Sequence, residues 1–440
     1  MPNNSHNNSH NNSLTPRGRT GQRRYGGRFF EEFLPELQGR QGIEMFKQMS
    51  ENDSVIGAIL FAVEMLVRQV KFDAEPASDS PRDIEAADFL KSCISDMNVS
   101  WQDTLSEMLS FLTYGFSYHE IVYKRRMGAG HGAQSSRYSD GLIGWRDFAI
   151  RAQDSLVRWE YGEGDELRGM VQAAPPDYEE RFIPIDKALH LRTKSRKASP
   201  EGVSILRSCY RDYYFKKNLQ ETEGIGAERG AVGLPVLTPP EGVNIWDDDP
   251  DSRALLSQAE QLVRNVRRDN VDGVVLPYGW KLELMGGGAR QPDLGAIIER
   301  YDRRIAMSVL ADFIMLGSNS AGSYALSSDK TELFSLALGT YLDIICDALN
   351  SQAIPRLFDM NRSAFSDLTE LPKLVHGDIE KPDLDKLGSF IERMTGAGLL
   401  RPDLRTEKYV RRLAELPEID LKAHARREVN EDVRDSGHER

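Results

Sequence analysis

Residues 292–350 constrain the fold more than any other stretch, because two helical patterns flank a segment that cannot form a packed core. The first pattern opens with Pro292 and Asp293, a proline and an acid of the kind that the first turn of a helix favours. Residues 317–323 contain only glycine, serine, asparagine and alanine, which predicts a loop, and a second helix is predicted from about Ser328. Apolar residues recur at helical spacing in both patterns: Leu294, Ile297, Ile298, Tyr301 and Ile305 in the first, and Phe334, Leu338, Tyr341, Ile345 and Leu349 in the second.

The preceding residues 202–288 predict a helix followed by a compact inserted unit. Ser204 is placed to cap this helix, which is predicted to run to about Gly224 and to be ended by Gly224, Gly226 and Gly230. The inserted unit is predicted to contain a strand at 232–237, a helix at 252–268 and two further strands at 273–277 and 280–285.

The first half of the chain mixes helical and strand patterns, which favours an α+β fold class. Either Asp53 or Ser54 caps a helix whose apolar stripe runs from Ile56 to Val70. Residues 116–123 alternate aromatic and β-branched side chains, as strands do, and shorter strands are predicted at 145–150, 156–161 and 167–171.

The composition limits the kinds of partner. The 440 residues carry a net charge of -12, so the chain lacks the basic excess that tight, general DNA binding requires. A negative net charge suits a surface along which DNA slides without being held. No apolar run approaches the ~20 residues needed to cross a bilayer, so neither a secretory leader nor a membrane partner is expected. Cys93, Cys209 and Cys346 lie far apart and are expected to be reduced thiols.

The two ends of the chain differ from the rest. Residues 1–13 repeat Asn, Ser and His, which predicts disorder. Residues 17–28 are basic and glycine-rich; a solubilising tail is the favoured interpretation, and contact with acidic protein or nucleic acid is the alternative. Residues 422–440 are almost wholly charged and are expected to be frayed.

Three groups of residues suggest chemistry, but each has a better structural explanation. His119 and Glu120 are adjacent in a predicted strand and so point to opposite faces. Ser204 lacks the second glycine of a nucleophile elbow, because residue 206 is Leu. The consecutive acids 247–249 point in different directions, which favours a solvated turn over a metal site. No phosphate-binding P-loop pattern occurs, so no catalytic residue, metal or cofactor is expected.

The order of these elements resembles that of the tailed-bacteriophage portal proteins. A charged helix with Arg304, Ile305 and Ala306 is followed by a short apolar run, a polar loop and an apolar helix, as in that family. Two local patterns agree with it: the Tyr-Gly-Phe turn at 114–116 before a Glu-containing strand, and the segment 183–191, which ends in a His-containing strand and leads to 200–206. The resemblance covers about residues 50–416.

The resemblance implies an α+β portal-protein fold with an α/β wing, a two-helix stem, a small α/β clip insertion and a helical crown. It divides the chain into a disordered polar and basic tail at 1–28, the wing at 29–201, the first stem helix at 202–230, the clip at 231–288, the second stem helix at 289–312, the tunnel loop and bracing wing helix at 313–360, the helical crown at 361–421 and a charged tail at 422–440.

The same resemblance implies a portal protein without enzymatic activity, which forms a ring-shaped channel at one capsid vertex for the packaging and ejection of double-stranded DNA. The implied partners are further copies of the chain in a cyclic, typically dodecameric ring, the terminase large subunit, then head-tail adaptor proteins, and the major capsid or scaffolding protein. The implied location is the virion, at the capsid portal vertex, after assembly in the host bacterial cytoplasm.

The resemblance also implies two groups of site residues. Arg300, Arg303 and Arg304 are candidates for phosphate contacts in the channel, or for ion pairs between subunits. The residues expected to face DNA from the tunnel loop are Gly317, Ser318, Asn319, Ser320, Gly322, Ser323 and Tyr324.

Two alternatives stay open at the level of sequence. One is a nucleic-acid-processing enzyme or another phage head-assembly factor, which would need a convergent acidic or His/Cys site. The other is a non-viral helical scaffold that forms rings. A particle with a central hole separates the portal from the first alternative, and incorporation into phage heads separates it from the second.

Overall fold

The computed structural model describes most of the chain and divides it into two compact units. The described residues are 18–163, 165–232, 234–265, 275–285, 293–309, 324–379, 384–399, 406–407 and 410–411. The first unit comprises Met1–Glu64, Ser106–Val122 and Asp147–Phe334, and the second comprises Met65–Leu105, Tyr123–Arg146 and Ser335–Arg440. Within the described residues, no helix combines the length and the apolar character that crossing a bilayer would need.

Several helices begin at side-chain caps that the sequence supplies. Asp53 caps the second helix, because its carboxylate accepts hydrogen bonds from the backbone N–H groups of Val55 and Ile56 at 3.0 and 3.1 Å. Asp293 caps the eighth in the same way through Ala296 N, at 3.0 Å. The helices are α1 Gly39–Asn52, α2 Ser54–Gln69, α3 Pro81–Ser95, α4 Trp101–Met108, α5 Ser110–Tyr114, α6 Tyr210–Val232, α7 Pro250–Asn265, α8 Leu294–Ser308, α9 Tyr324–Ala348, α10 Ile354–Met360 and α11 Leu384–Gly396.

The strands form small sheets of two or three members. The described sheets have the strand orders β1-β2, β10-β11, β12-β3, β5-β4-β9 and β6-β7-β8. The strands are β1 Arg24–Tyr25, β2 Arg28–Phe29, β3 Phe72–Glu75, β4 Phe116–Arg125, β5 Ile143–Ile150, β6 Leu156–Tyr161, β7 Leu167–Ala173, β8 Glu180–Pro184, β9 Ala188–Arg192, β10 Leu234–Thr238, β11 Lys281–Met285 and β12 Lys373–His376.

The first unit has two apolar clusters. One joins the strands around Trp159 and is built from Phe29, Phe116, Tyr118, Trp159, Met170, Ile183 and Ala188. The other joins α1, α2, α6 and α8 and is built from Leu37, Phe46, Met49, Ile56, Leu206, Cys209, Tyr210, Tyr213 and Ile305. The second cluster sets the position of the helix pair described below.

In the second unit, two asparagines complete the hydrogen bonding of strand backbone. Asn361 exchanges two hydrogen bonds of 2.8 Å with the N–H and C=O of Ile143. Asn350 does the same for Leu374, at 2.8 and 2.9 Å. Each amide side chain presents one donor and one acceptor, so it satisfies the backbone as a neighbouring strand would.

Several element boundaries differ from the sequence prediction. Helix α6 continues through Gly224 and Gly226 to Val232, because neither glycine adopts the left-handed conformation that ends a helix. Residues 275–277 are not a strand, and residues 273–274 of that prediction lie outside the described residues. Helix α9 begins at Tyr324, four residues before the predicted Ser328. Residues 18–28 are folded and form most of the β1–β2 hairpin, which ends at Phe29, although disorder was predicted for 1–28.

Candidate channel helices

Helices α6 and α8 pack side by side in antiparallel directions. Phe215 stacks on Tyr301 with the ring centroids 6.4 Å apart. One turn away, Asp212 lies 3.7 Å from Arg304. From the first contact to the second, the residue number decreases in α6 and increases in α8. The two helices therefore run in opposite directions. At about 1.5 Å per residue, the 23-residue α6 is about 35 Å long.

A buried lysine fixes this pair to the start of α2. The side chain of Lys216 is 2% exposed, and its Nζ lies 2.8 Å from the Asp53 carboxylate and 2.5 Å from that of Asp302. Asp53 also caps α2, so the three charged residues together join α2, α6 and α8. A buried charge is stable only with such partners, which makes this ion triad a structural constraint on the pair.

The sequence analysis missed the role of Lys216, although a signal was present. Lys216 stands three residues after Tyr213 and seven after Cys209, so it lies on the buried face of α6. A lysine on such a face needs a carboxylate partner. The sequence does not reveal that Asp53 and Asp302 supply it.

The three candidate arginines of α8 have partners within the chain. Arg303 pairs with Glu299 at 2.6 Å, and Arg304 lies near Asp212 on α6. Arg300 lies over the ring of Tyr301, with 5.8 Å from its guanidinium carbon to the ring centroid. The side chains of Arg303 and Arg304 are 48% and 55% exposed. Surface pairs of this kind contribute about 0–1 kcal/mol each.

The candidate tunnel loop lies mostly outside the described residues. Gly317, Ser318, Asn319, Ser320, Gly322 and Ser323 fall in that group, so their predicted role stays a prediction. Tyr324 is described as the first residue of α9, so it belongs to the helix that follows the loop.

A folded insertion connects α6 to α8. Strand β10 follows α6 almost directly and pairs antiparallel with β11, with Leu234 opposite Met285 and Thr238 opposite Lys281. This pairing brings the two ends of the insertion together. Helix α7 lies between the two strands in the chain, as the sequence predicted.

The acids of the insertion each have a different partner. Asp247 accepts a hydrogen bond from the Asn244 side chain at 2.6 Å, and Asp248 pairs with Arg253. Asp249 accepts from the backbone N–H of Ser252 at 3.0 Å at the start of α7. The three carboxylates therefore diverge, as predicted, and the described residues contain no group of three or more His, Cys, Asp or Glu placed to hold a metal ion.

His119 and Glu120 point to opposite faces of β4, as their adjacency predicted. His119 is buried, and burial lowers its pKa to about 4. Its Nδ1 lies 3.3 Å from Phe148 O, and its Nε2 lies 3.1 Å from Ser117 Oγ. Glu120 pairs instead with Arg151 and Lys187 on the other face. The two residues thus cannot act on one substrate.

Ser204 acts as a cap, although of a short turn rather than of the long helix for which it was predicted. Its Oγ accepts a hydrogen bond from Leu206 N at 3.0 Å and donates one to Thr113 O at 2.5 Å. The cap begins a short 3-10 turn, Ile205–Arg207, which precedes α6. Both hydrogen-bonding roles of this hydroxyl are therefore structural.

Two helices linked by a folded insertion, beside a body of small sheets and helices, define an α+β fold that solved structures share. The chain is similar to a chain in the virion of a native gene transfer agent particle, with 13% identity and a TM-score of 0.50; the match covers 86% of this chain and 94% of that one. A neck of an empty gene transfer agent particle, computed with C6 symmetry, matches with the same identity, coverage and TM-score. An HK97 family phage portal protein from Corynebacterium diphtheriae is similar at 10% identity, with a TM-score of 0.43 and coverage of 75% and 94%.

The comparison with protein families is more specific than the comparison with solved structures. Residues 43–415 match the family model described as the portal protein of Mu bacteriophage. The chain therefore belongs to this portal protein family, and its role is that of a head-to-tail connector. The α+β portal fold and the family resemblance that the sequence suggested are both confirmed, and the family is a structural one.

Proposed function

We propose that copies of this chain assemble into a closed, typically dodecameric ring at one capsid vertex, and that double-stranded DNA passes through its centre. The observation that carries this proposal is the antiparallel α6–α8 pair with a folded insertion between its members. Identical copies around a rotation axis form a ring through one heterologous interface repeated at each step. Helices α6 and α8 form the stem of each copy in this proposal.

Exposed apolar side chains on the helix pair support the repeated interface. Tyr214 and Phe215 on α6 are 50% and 41% exposed, and Met307 on α8 is 58% exposed. Exposed large apolar residues can mark surfaces that another protein covers. The next copy in the ring covers them in this proposal, while Lys216 holds the buried side.

The insertion corresponds to the clip, residues 231–288, in this proposal. It docks the terminase large subunit during packaging and the head-tail adaptor afterwards. Trp246 and Tyr278 support this assignment, because both are largely exposed and large aromatic residues are frequent anchors of protein interfaces. Residues 361–421 are the crown, and the rest of the body is the wing, which contacts the major capsid or scaffolding protein.

The channel surface is proposed to come from α8 and from the loop residues 317–323. Since Arg303 and Arg304 have acidic partners in the chain, Arg300 is the better candidate for a transient phosphate contact. The net charge of -12 favours DNA that slides through the channel rather than DNA that is bound tightly. The proposal assigns no chemistry to this chain: a separate terminase hydrolyses ATP. Assembly takes place in the host bacterial cytoplasm, before the ring becomes part of the virion.

Electron microscopy of the purified chain, together with its mass in solution, tests the ring. Twelve copies of the 49.6 kDa chain would weigh about 600 kDa and show a central hole in top views. The double variant Tyr214→Glu with Met307→Glu should yield smaller species with an unchanged circular dichroism spectrum, because two charges would enter the interface. Gln41→Glu with Gln134→Glu adds two charges at exposed polar positions outside the helix pair and should leave the ring intact.

The opposite results would overturn the proposal. A wild-type chain that stays a single copy, with no hollow particle at any concentration or salt, excludes the ring. A single copy that cleaves nucleic acid with a divalent metal would point to the processing enzyme instead.

A further inference from the structure

The N-terminal strap, residues 18–30, is folded onto the sheet that carries Trp159. Trp159 N donates a hydrogen bond to Gly27 O at 3.0 Å. A Cβ atom at Gly27 would stand 2.3 Å from Trp159 O, so only glycine permits this approach. Arg24 lies 3.7 Å above the centroid of the Tyr161 ring and pairs with Asp165. The strap is therefore a docked element whose backbone and Arg24 supply the attachment.

A second basic segment, the loop at 192–199, is tied to the strap. Lys197 Nζ donates to Gly21 O at 3.2 Å and pairs with Glu31 at 2.9 Å, and the Gln22 side chain donates to Lys197 O. Lys197 and Ala198 both have positive φ values, 51° and 57°. Two consecutive non-glycine residues in this conformation are costly, and such strain persists only where surrounding contacts hold it.

The attachment leaves a group of cations at the surface. Arg24 and Lys197 hold the two segments together, whereas Arg23, Lys194 and Arg196 are exposed and form no ion pair within the described part of the chain. Arg19 is 87% exposed and forms a long ion pair with Asp165, at 4.0 Å. We name Arg19, Arg23, Lys194 and Arg196 the strap patch.

We propose that the strap patch binds the phosphate backbone of double-stranded DNA. Arginine and lysine side chains supply much of the phosphate contact in protein–DNA complexes. A protein partner is less favoured because interfaces between proteins concentrate apolar residues at their centre. Tyr25 and Phe30 are exposed aromatic residues of the strap, but the segments 18–24 and 192–199, which carry the four cations, contain only small, polar or basic residues. The patch lies outside α6 and α8, so this proposal goes beyond the channel.

The local charge contrasts with that of the whole chain. The protein carries -12 overall, yet residues 18–28 hold four arginines and no acid. Long-range repulsion between DNA and the whole chain is screened within about 8 Å at physiological salt, whereas direct contacts with the patch survive. Duplex binding should therefore be detectable and steeply dependent on salt.

The test measures binding of a fluorescent duplex of about 30 base pairs between about 50 and 200 mM salt. The variant with Arg19→Ala, Arg23→Ala, Lys194→Ala and Arg196→Ala should lose at least about tenfold in affinity. Its slope of log affinity against log salt should be shallower by about 3 to 4, since each phosphate contact contributes about 0.9. The four residues are exposed, so the variant should keep the wild-type spectrum and melting temperature.

The matched control removes four exposed cations elsewhere: Arg40→Ala, Lys47→Ala, Lys281→Ala and Lys373→Ala. Its slope should change by less than about 1. Equal loss in the two variants, or no duplex binding by the wild type, would overturn the proposal. Equally tight, patch-dependent binding of poly-glutamate would overturn it in favour of an acidic protein. The patch belongs to a single chain, so the result does not depend on ring formation.

Discussion

Two arginine-containing segments of this chain, helix α8 with three arginines and the N-terminal strap with four, hold their cations in different ways. In α8, Arg303 and Arg304 lie beside Glu299 and Asp212, so their charge is neutralised within the chain. In the strap, Arg24 is held by Asp165, while Arg23 beside it forms no ion pair among the described residues. A basic run in a sequence is therefore not yet a binding surface, because the folded chain decides which cations keep their charge available.

The difference also separates structural cations from surface cations. Lys216 and Arg24 are the structural ones, since each is largely buried and contacts elements distant in sequence. The strap patch is exposed and stabilises little within the chain. Loss of a structural cation should affect folding, whereas loss of a surface cation should affect binding.

The largest expected effect is at Lys216. Lys216→Met should destabilise the fold by about 3–5 kcal/mol, because Asp53 and Asp302 would be left without the cation between them. Denaturant unfolding of the protein measures the change. Lys217→Met, one residue along α6 and outside the triad, should cost less than about 1 kcal/mol. Similar losses of unfolding free energy in the two variants would contradict the distinction between structural and surface cations.

The next effect concerns Glu201, which accepts a hydrogen bond from Trp159 Nε1 at 3.1 Å beneath the strap. Burial raises the pKa of Glu201 to about 7, although the Trp159 hydrogen bond opposes the shift. The folded state therefore favours the protonated form. Glu201→Gln should match the wild type below pH 4.5 and become more stable, by up to about 3 kcal/mol, as the pH rises through 7.

Glu120 provides a control of opposite sign. Burial acts to raise its pKa, but hydrogen bonds from Lys187 and Arg151 outweigh burial and lower it. Glu120→Gln should therefore destabilise the protein at neutral pH, with the difference fading as the pH falls below the ordinary carboxyl range. Unfolding free energies measured from about pH 2 to about pH 8 give both curves. Parallel curves for the two variants would contradict the assignment of Glu201 as a buried acid.

The smallest effect compares neighbouring arginines in the strap. Arg24→Ala should weaken strap attachment by about 1–2 kcal/mol, because it removes the Asp165 ion pair and the contact with the Tyr161 ring. Hydrogen exchange of residues 24–29 should then be about tenfold faster. Arg23→Ala should leave exchange unchanged. If both variants open the strap equally, its cations do not divide into anchors and surface charges.

The parts of the fold that the sequence predicted depend on local rules. Asp293 caps α8, Ser204 caps the turn before α6, and β4 alternates as its pattern required. Each of these follows from neighbours within a few residues. The divergent acids at 247–249 were predictable for the same reason, since adjacent side chains cannot converge on one ion.

The predictions that failed depend on contacts between distant residues. The strap was expected to be disordered because its composition is polar, but Trp159 and Asp165 hold it in place. Helix α6 was expected to end at Gly224, yet a glycine ends a helix only when it adopts a left-handed conformation there. Neither the tertiary contacts of the strap nor the backbone conformation of Gly224 can be predicted from composition and helix propensity.

The sequence by itself determined the order of helices, strands and insertion, and with it the portal family, because hydrophobic spacing and capping are local properties. Tertiary structure alone decided the partners of the charges: Lys216 with Asp53 and Asp302, Arg304 with Asp212, and Arg24 with Asp165. Ion pairs join residues that the chain path brings together from far apart, so no local pattern encodes them.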